Sequence, residues 1–272
     1  MAAYEKERLL NEILPNVASQ LRMPLGNMHV AMQRMLPKEP ADAAAERNMA
    51  IMSQSYYRAM RLVSNLSAAP MLLQTEPFIT ANVEIVLWLE DLVRQAQPLA
   101  EEAGVTVEFT SPLSHHSVAI HQEHMERLVW NLLSNALKFT PSGGRITVSV
   151  RLSGKQVLLE VSDTGCGISE DLLETVFDRY LHPERMDPLP HGLGLGLPLC
   201  RRIAEGHGGQ ILLQSREGKG TTVTVSLPDK KHSVTVLREP MGFHYAGGFQ
   251  PVLMELSDAL PYGAFRPRHI DD

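Results

Sequence analysis

Asn131-Leu132-Leu133-Ser134-Asn135-Ala136-Leu137-Lys138 places two carboxamides and an ammonium at positions i, i+4 and i+7, along one face of a helix. Asn on a helix is often merely solvated, but here the stripe runs through Leu and Val. Carboxamide oxygens can ligate Mg2+, directly or through water, and a lysine supplies a point charge for phosphate. Three glycine motifs follow in order. Asp163-Thr-Gly165-Cys-Gly167 comes after a strand pattern, and its carboxylate is suited to accept a hydrogen bond from an exocyclic amine such as that of adenine. Gly192-Leu-Gly194-Leu-Gly196-Leu-Pro198 leads into a helix, whose first backbone N–H groups and dipole make an anion site. This run lacks the strand–glycine–helix order of a dinucleotide fold and the GK[ST] of a P-loop. Gly218-Lys-Gly220-Thr221 sits in a hairpin before a last strand.

Around these motifs, residues 80–228 alternate helix and strand periods. Strands are predicted at Val83–Ile85, Val105–Phe109, Ser117–Ile120, Ile146–Leu152, Gln156–Val161, Gln210–Leu213 and Thr221–Leu227. Helices are predicted at Leu89–Leu99, Met125–Leu137, Glu170–Phe177 and Leu197–Glu205. That pattern is an α+β sandwich, a mixed sheet with helices on one face. Residues 1–75 read instead as two long helices. Leu10, Leu14, Val17, Leu21, Leu25, Met28, Met32 and Met35 recur at spacings of 3 and 4, with a stutter at Met23-Pro24, where Pro24 is expected to kink the helix. Met49, Met52, Tyr56, Ala59, Val63 and Leu66 continue the seam in the second helix. Methionines at seam positions read as packing. Two such helices complete a core by pairing with a second chain into a four-helix bundle. Residues 229–272 open with a strand pattern, Ser233–Leu237, and then fill with Gly, Pro and aromatics; an added strand on the preceding domain that tunes its lid is the expectation.

The chain has 272 residues, 44% of them hydrophobic, which suits two compact units with real cores. A net charge of −6 excludes a basic surface for nucleic acid or anionic lipid. Cys166 and Cys200 form no CxxC pair, no run spans a membrane, and Met1–Leu10 is charged where a signal peptide is apolar. A cytoplasmic protein in a reducing compartment is expected. His115, His116, His121 and His124 read as a polar loop and helix start rather than a metal cluster, and Cys166 as a small filler.

The order Asn131, Asn135, Lys138, Asp163-x-Gly165-x-Gly167, Phe177, Gly192-x-Gly194-x-Gly196 and Gly220-Thr221 resembles the asparagine, phenylalanine and glycine boxes of sensor histidine kinases. His207-Gly-Gly-Gln-Ile extends the likeness, which runs to residue 227. These kinases belong to the GHKL superfamily of ATPases, with gyrase. The resemblance implies an α+β fold: an antiparallel hairpin at 1–75 for dimerisation and phosphoacceptance, an ATP-binding catalytic domain at 80–228, and an extension at 229–272 of unknown role. It implies ATP and Mg2+ as cofactors, with Asn135 holding Mg2+, Lys138 meeting phosphate, Asp163 reading adenine and the 192–196 glycines hinging a lid. Asn131 stands where hydrolysing relatives carry a Glu base, so rapid hydrolysis is not expected. The implied partners are a second copy or another kinase subunit, and a response regulator.

The hairpin departs from the family at three positions. Asn16-Val-Ala-Ser19-Gln20-Leu-Arg22-Met23-Pro24-Leu25 is similar to the family's N-x-S-H-E-L-R-T-P-L, with Ser19 at the phosphoaccepting His, Gln20 at the neighbouring base and Met23 at the water-positioning Thr. A serine phosphate is a stable ester, and an unactivated hydroxyl is a weak nucleophile. His29, ten residues along the helix, lies some 80° off the face of Ser19. His182 takes the place of a lid arginine, and three prolines stiffen the lid at Leu181–His191. A pseudokinase of two-component signalling is therefore expected. The alternatives are an active kinase that phosphorylates Ser19, a partner protein or a partner subunit's His, and an ATP-independent dimeric scaffold.

Overall fold

The structure is a computed structural model that describes residues 2–35, 42–173, 176–177, 194–233 and 250–266. The chain begins as one helical run: α1 (Ala2–Arg8), a π-helical turn over Leu9–Ile13, and α2 (Leu14–Met35). The irregular turn falls at Leu9–Ile13 and not at the expected stutter, since α2 continues through Pro24. Pro15 supplies a reason. It has no N–H for the carbonyl of Asn11 and crowds it, and the wider turn, closed by Leu14 N–H on Leu9 O, relieves the clash. After α2 comes α3 (Ala43–Ser67), capped by Asp42, whose Oδ1 accepts from Ala45 N–H at 2.7 Å. Residues 36–41, between these helices, lie outside the described residues; their sequence, with Pro37 and Pro40, predicts a short turn.

The seam between α2 and α3 uses only part of the expected stripe. Of that stripe Leu10 is buried, whereas Val17, Leu21, Met28 and Met35 are 41%, 42%, 65% and 82% exposed; the buried Ala18 and His29 lie one position off it. The apolar surface is wider than one partner helix covers, so α3 takes one edge and leaves the other on the surface. His29 stacks on Tyr56, ring centroids 4.2 Å apart, and burial lowers its pKa.

A five-stranded sheet has the order β2 (Thr106–Thr110), β4 (Arg145–Ser153), β5 (Gln156–Asp163), β7 (Gly220–Pro228), β6 (Gln210–Arg216). The β2–β4 pair is parallel and the others antiparallel. Strict alternation places Ile146, Val148, Val150, Val157, Leu159, Val161, Val223, Val225 and Leu227 on one buried face. The opposite face is polar, with Ser162 and Thr222 sharing a hydrogen bond of 2.8 Å. Three helices cover the apolar face: α4 (Ile85–Glu102), α5 (Gln122–Phe139) and α7 (Gly196–Gly206). A separate pair, β1 (Ala81–Glu84) and β3 (Ser117–Ile120), is antiparallel. The expected helix at 170–177 is shorter, α6 (Glu170–Leu173), with Val176 and Phe177 in a turn.

The strand expected at Ser233–Leu237 falls where residues 234–237 lie outside the described residues. Residues 250–266 form α8 (Pro251–Leu256) and a 3-10 turn (Tyr262–Phe265). This segment wedges between α3 and the helical layer of the sheet, burying Leu253, Leu256, Leu260, Ala264 and Phe265.

The passage from hairpin to sheet is held by an aromatic cluster. Phe78 N–H donates to Gly206 O at 3.1 Å, and its ring lies 4.3 Å from the His124 ring and 5.3 Å from that of His207. His121 stacks on His124 at 3.8 Å and accepts its N–H, capping α5. Burial, and then His121, His207 and Arg127, push the His124 pKa down to about 4. Above pH 6.5 this ring is neutral in both folded and unfolded chains. Below that value only the unfolded chain takes up the proton readily, so stability falls as pH drops from 6.5 towards 4. Between pH 7 and 4.5 the wild type should lose on the order of 2 kcal/mol more than His124→Gln, read from denaturant midpoints. Parallel losses in both proteins would show that His124 does not carry the effect.

Candidate functional site

The stripe read from the sequence lines a cavity of about 420 Å³, within the range of small-molecule sites. Asn131, Asn135 and Lys138 face it from α5, Asp163 from the end of β5, Gly167 from the following loop, Gly194 and Gly196 from the start of α7, and Thr221 from β7. Each is placed by an element with a definite reason to be there. Helix α5 buries Leu128, Leu132 and Leu133 against the sheet, and its 3.6-residue period then turns 131, 135 and 138 towards one rim.

Asp163 is held rigidly. Its Oδ1 accepts from Gly165 N–H at 2.8 Å and Thr221 N–H at 3.2 Å, while desolvation raises its pKa against those two hydrogen bonds. The glycines make this packing possible. A Cβ on Gly220, whose φ is +98°, would lie 2.0 Å from Asp163 O, and one on Gly167, φ +70°, would lie 2.1 Å from Arg216 O. Cys166 O accepts from Gly218 N–H at 2.7 Å, which ties the β6–β7 turn to the loop after β5. Gly165 and Gly220 thus shape the wall without lining it.

Asn131 is 3% exposed, and its Nδ2 has no hydrogen-bond partner. A buried carboxamide donor left unpaired is costly, and it sits beside a cavity. A Cβ on Gly196 would come within 3.3 Å of Asn131 Oδ1, so the absence of a side chain there lets α7 begin directly above it. Helix α7 is eleven residues long, and its amino end is open to the cavity.

Other predicted residues stand apart. Phe177 packs under the Arg201 guanidinium, 5.6 Å from the ring centroid, and does not line the cavity although Val176 does. Gly192 and the lid at Leu181–His191, with His182, lie outside the described residues. Ser19 and Gln20 are exposed on α2, away from the cavity wall. His116 pairs with Asp229 at 2.8 Å, and His121 and His124 belong to the cluster around Phe78. Cys166 is an exposed thiol on the cavity rim rather than a small filler in a packed interior.

Among the lining residues not marked in the sequence, three come from distant segments: Arg61 and Asn65 of α3, and Asp258 of the C-terminal segment. Arg61 donates to Ser134 Oγ and pairs with Asp258 at 3.4 Å. No local pattern marks them, because they reach the cavity only through the docking of α3 and the tail.

Residues 120–231 match the family described as histidine kinase-, DNA gyrase B- and HSP90-like ATPase. The chain is 31% identical over 234 residues to the sensor histidine kinase WalK of Bacillus subtilis, covering 81% of this chain and 37% of that protein. It is 29% identical over 231 residues to the sensor protein KdpD of Clostridium acetobutylicum, covering 82% of this chain and 25% of the relative. The chain therefore spans a quarter to somewhat over a third of these relatives' length. Among solved structures, full-length ShkA in complex with AMPPNP superposes with a TM-score of 0.64 at 22% identity, over 82% of this chain and 47% of that one.

Proposed function

Because the chain belongs to the sensor histidine kinase family, we propose that it binds Mg·ATP in the cavity between α5 and α7 and acts in two-component signalling as a degenerate member. The carrying observation is the convergence of Asn131, Asn135, Lys138, Asp163, Gly194 and Gly196 on one cavity. The oxygen of Asp163 not occupied by backbone N–H groups accepts the adenine amine. Lys138 and the amino end of α7 receive the phosphates. Asn135 would hold Mg2+ through its carboxamide oxygen, with water and phosphate completing the shell, and the ion would neutralise phosphate charge. The unpaired Asn131 Nδ2 and the side-chain-free cradle at Gly196 fit a polar ligand at this end.

The acceptor chemistry is the degenerate part. Ser19 is exposed, with Gln20 beside it and no carboxylate or imidazole in its family position, so the hydroxyl has no base. The output of the protein is then its shape: nucleotide occupancy alters a dimeric scaffold that engages a response regulator or another kinase. The exposed edge of the hairpin, with Val17, Leu21, Met28 and Met35, supports pairing with a second chain. No described helix is long and apolar enough to cross a membrane.

Phosphoryl incorporation from γ-labelled ATP with Mg2+ tests this reading, with binding followed in the same preparation. Saturating ATP at a hundredfold over its Kd should stabilise the fold by about 2.7 kcal/mol, with no label retained. Acid-stable label that disappears in Ser19→Ala would replace the pseudokinase with a serine kinase. Acid-labile label would identify a histidine acceptor. Absence of any nucleotide-dependent stabilisation would leave only an ATP-independent scaffold.

A further inference from the structure

Arg61 is the one cation of the hairpin helix α3 among the residues that line the nucleotide cavity. Its side chain is 5% exposed, and a buried guanidinium requires charge compensation and hydrogen-bond acceptors. Its charge is met by Asp258 and, through space, by the buried Glu255, but its hydrogen-bond acceptors are few. One nitrogen, Nη1, serves both Ser134 Oγ and Asp258 Oδ2; the ion pair spans 3.4 Å, longer than a charge-assisted hydrogen bond, and Nε is buried with no partner. Ser134 lies between Asn131 and Asn135 in sequence, three residues beyond one and adjacent to the other, so Arg61 is anchored beside the carboxamides at the end of the cavity where Asn131 Nδ2 is also unpaired. Asn65, one turn further along α3, lines the cavity as well. Two donors, one charged, thus remain unmet at the same end of a cavity that accepts an anionic ligand.

We infer that Arg61 is a phosphate-binding residue of the nucleotide site, supplied by the hairpin, and that Asp258 of the C-terminal segment competes with the phosphates for it. This rests on the reading of the cavity as an ATP site and deepens it. Without ligand, Asp258 supplies the counter-charge and holds the guanidinium at the rim. With ATP, the terminal phosphates offer Arg61 several oxygens in place of the carboxylate it pairs with, and the negative charge of Asp258 opposes their entry. The hairpin therefore senses the phosphates rather than the base, and the tail sets the threshold at which it does so.

The test is calorimetric binding of ATP and of adenosine to the full chain, wild type, Arg61→Gln and Asp258→Asn, at a temperature where all three are folded. Arg61→Gln should weaken ATP about tenfold and leave adenosine within about twofold. Asp258→Asn should tighten ATP about threefold or more with adenosine unchanged, while lowering the ligand-free Tm because a buried cation loses its partner. A purely structural pair would lower stability without raising ATP affinity. Variants that move ATP and adenosine together, or an Asp258→Asn protein with unchanged ATP affinity, would overturn the inference while leaving the ATP site standing. A wild type that binds neither ligand would overturn both.

Discussion

Asp163→Asn is expected to weaken ATP binding by about a hundredfold, or about 2.7 kcal/mol, with the fold unchanged. The carboxylate is fixed by two backbone donors on Oδ1, from Gly165 and Thr221. An amide oxygen can take over both of those bonds, so the β5 end and the Gly220 approach keep their geometry. The cost falls on the other atom. Where the second carboxylate oxygen accepts the exocyclic amine of adenine, the variant presents an N–H donor to a donor, and both are left desolvated and unpaired. The same substitution makes a complementary partner for a purine with a keto group at that position, so the variant should bind ITP better than ATP, reversing the wild-type order. Competition binding with the two nucleotides decides it. Retention of ATP affinity within about threefold would show that Asp163 supports the loop without reading the base. The raised pKa of Asp163 adds a pH signature: as pH falls through that value the carboxyl protonates, and ATP affinity should decline at a higher pH than for an ordinary aspartate.

The site was legible in the sequence wherever a local rule forced a residue into place. The spacing of Asn131, Asn135 and Lys138 is a helical period, and Gly167 and Gly220 mark approaches that a Cβ would block at 2.1 and 2.0 Å. The sheet was legible for the same reason, since period-2 alternation is a local signal. What depended on two distant segments meeting was not legible. Arg61 stands in α3 at a position the apolar seam skips, and only the tertiary arrangement puts it at Ser134. In the tail, Leu253, Leu256 and Leu260 have helical spacing, but the helix they mark is only six residues long and the pattern is too short to stand out among Gly and Pro. The hairpin was half legible: the stripe is apolar, but one chain covers only an edge of it, and the turn at Leu9–Ile13 answers to Pro15 through its crowding of Asn11.

Phe265→Ala is expected to destabilise the chain by about 3–5 kcal/mol, the range for emptying a fully buried aromatic site. The ring is 0% exposed and lies 5.7 Å from that of Tyr57, itself 0% exposed on α3. Around it the tail is also held by directional bonds: Gln54 Nε2 donates to Leu260 O at 2.7 Å, Arg58 Nε to Ser257 O at 3.0 Å, and Gln250 N–H to Tyr57 Oη at 3.2 Å. Because α3, the tail and the sheet helices share one buried apolar cluster, the loss should appear as a lower midpoint of a single cooperative unfolding transition. Hydrogen exchange should rise along the α3 face around Ala50 and Tyr57 as well as in the tail. A loss below about 1 kcal/mol, with exchange confined to residues 250–266, would show instead a tail loosely laid on a finished core. The two tail substitutions then separate two roles of one segment. Phe265 fastens the hairpin to the nucleotide-binding layer by apolar burial and acts on stability, whereas Asp258 trades charge with the ligand through Arg61 and acts on affinity. A tail that only sealed the core would need no carboxylate at the cavity wall.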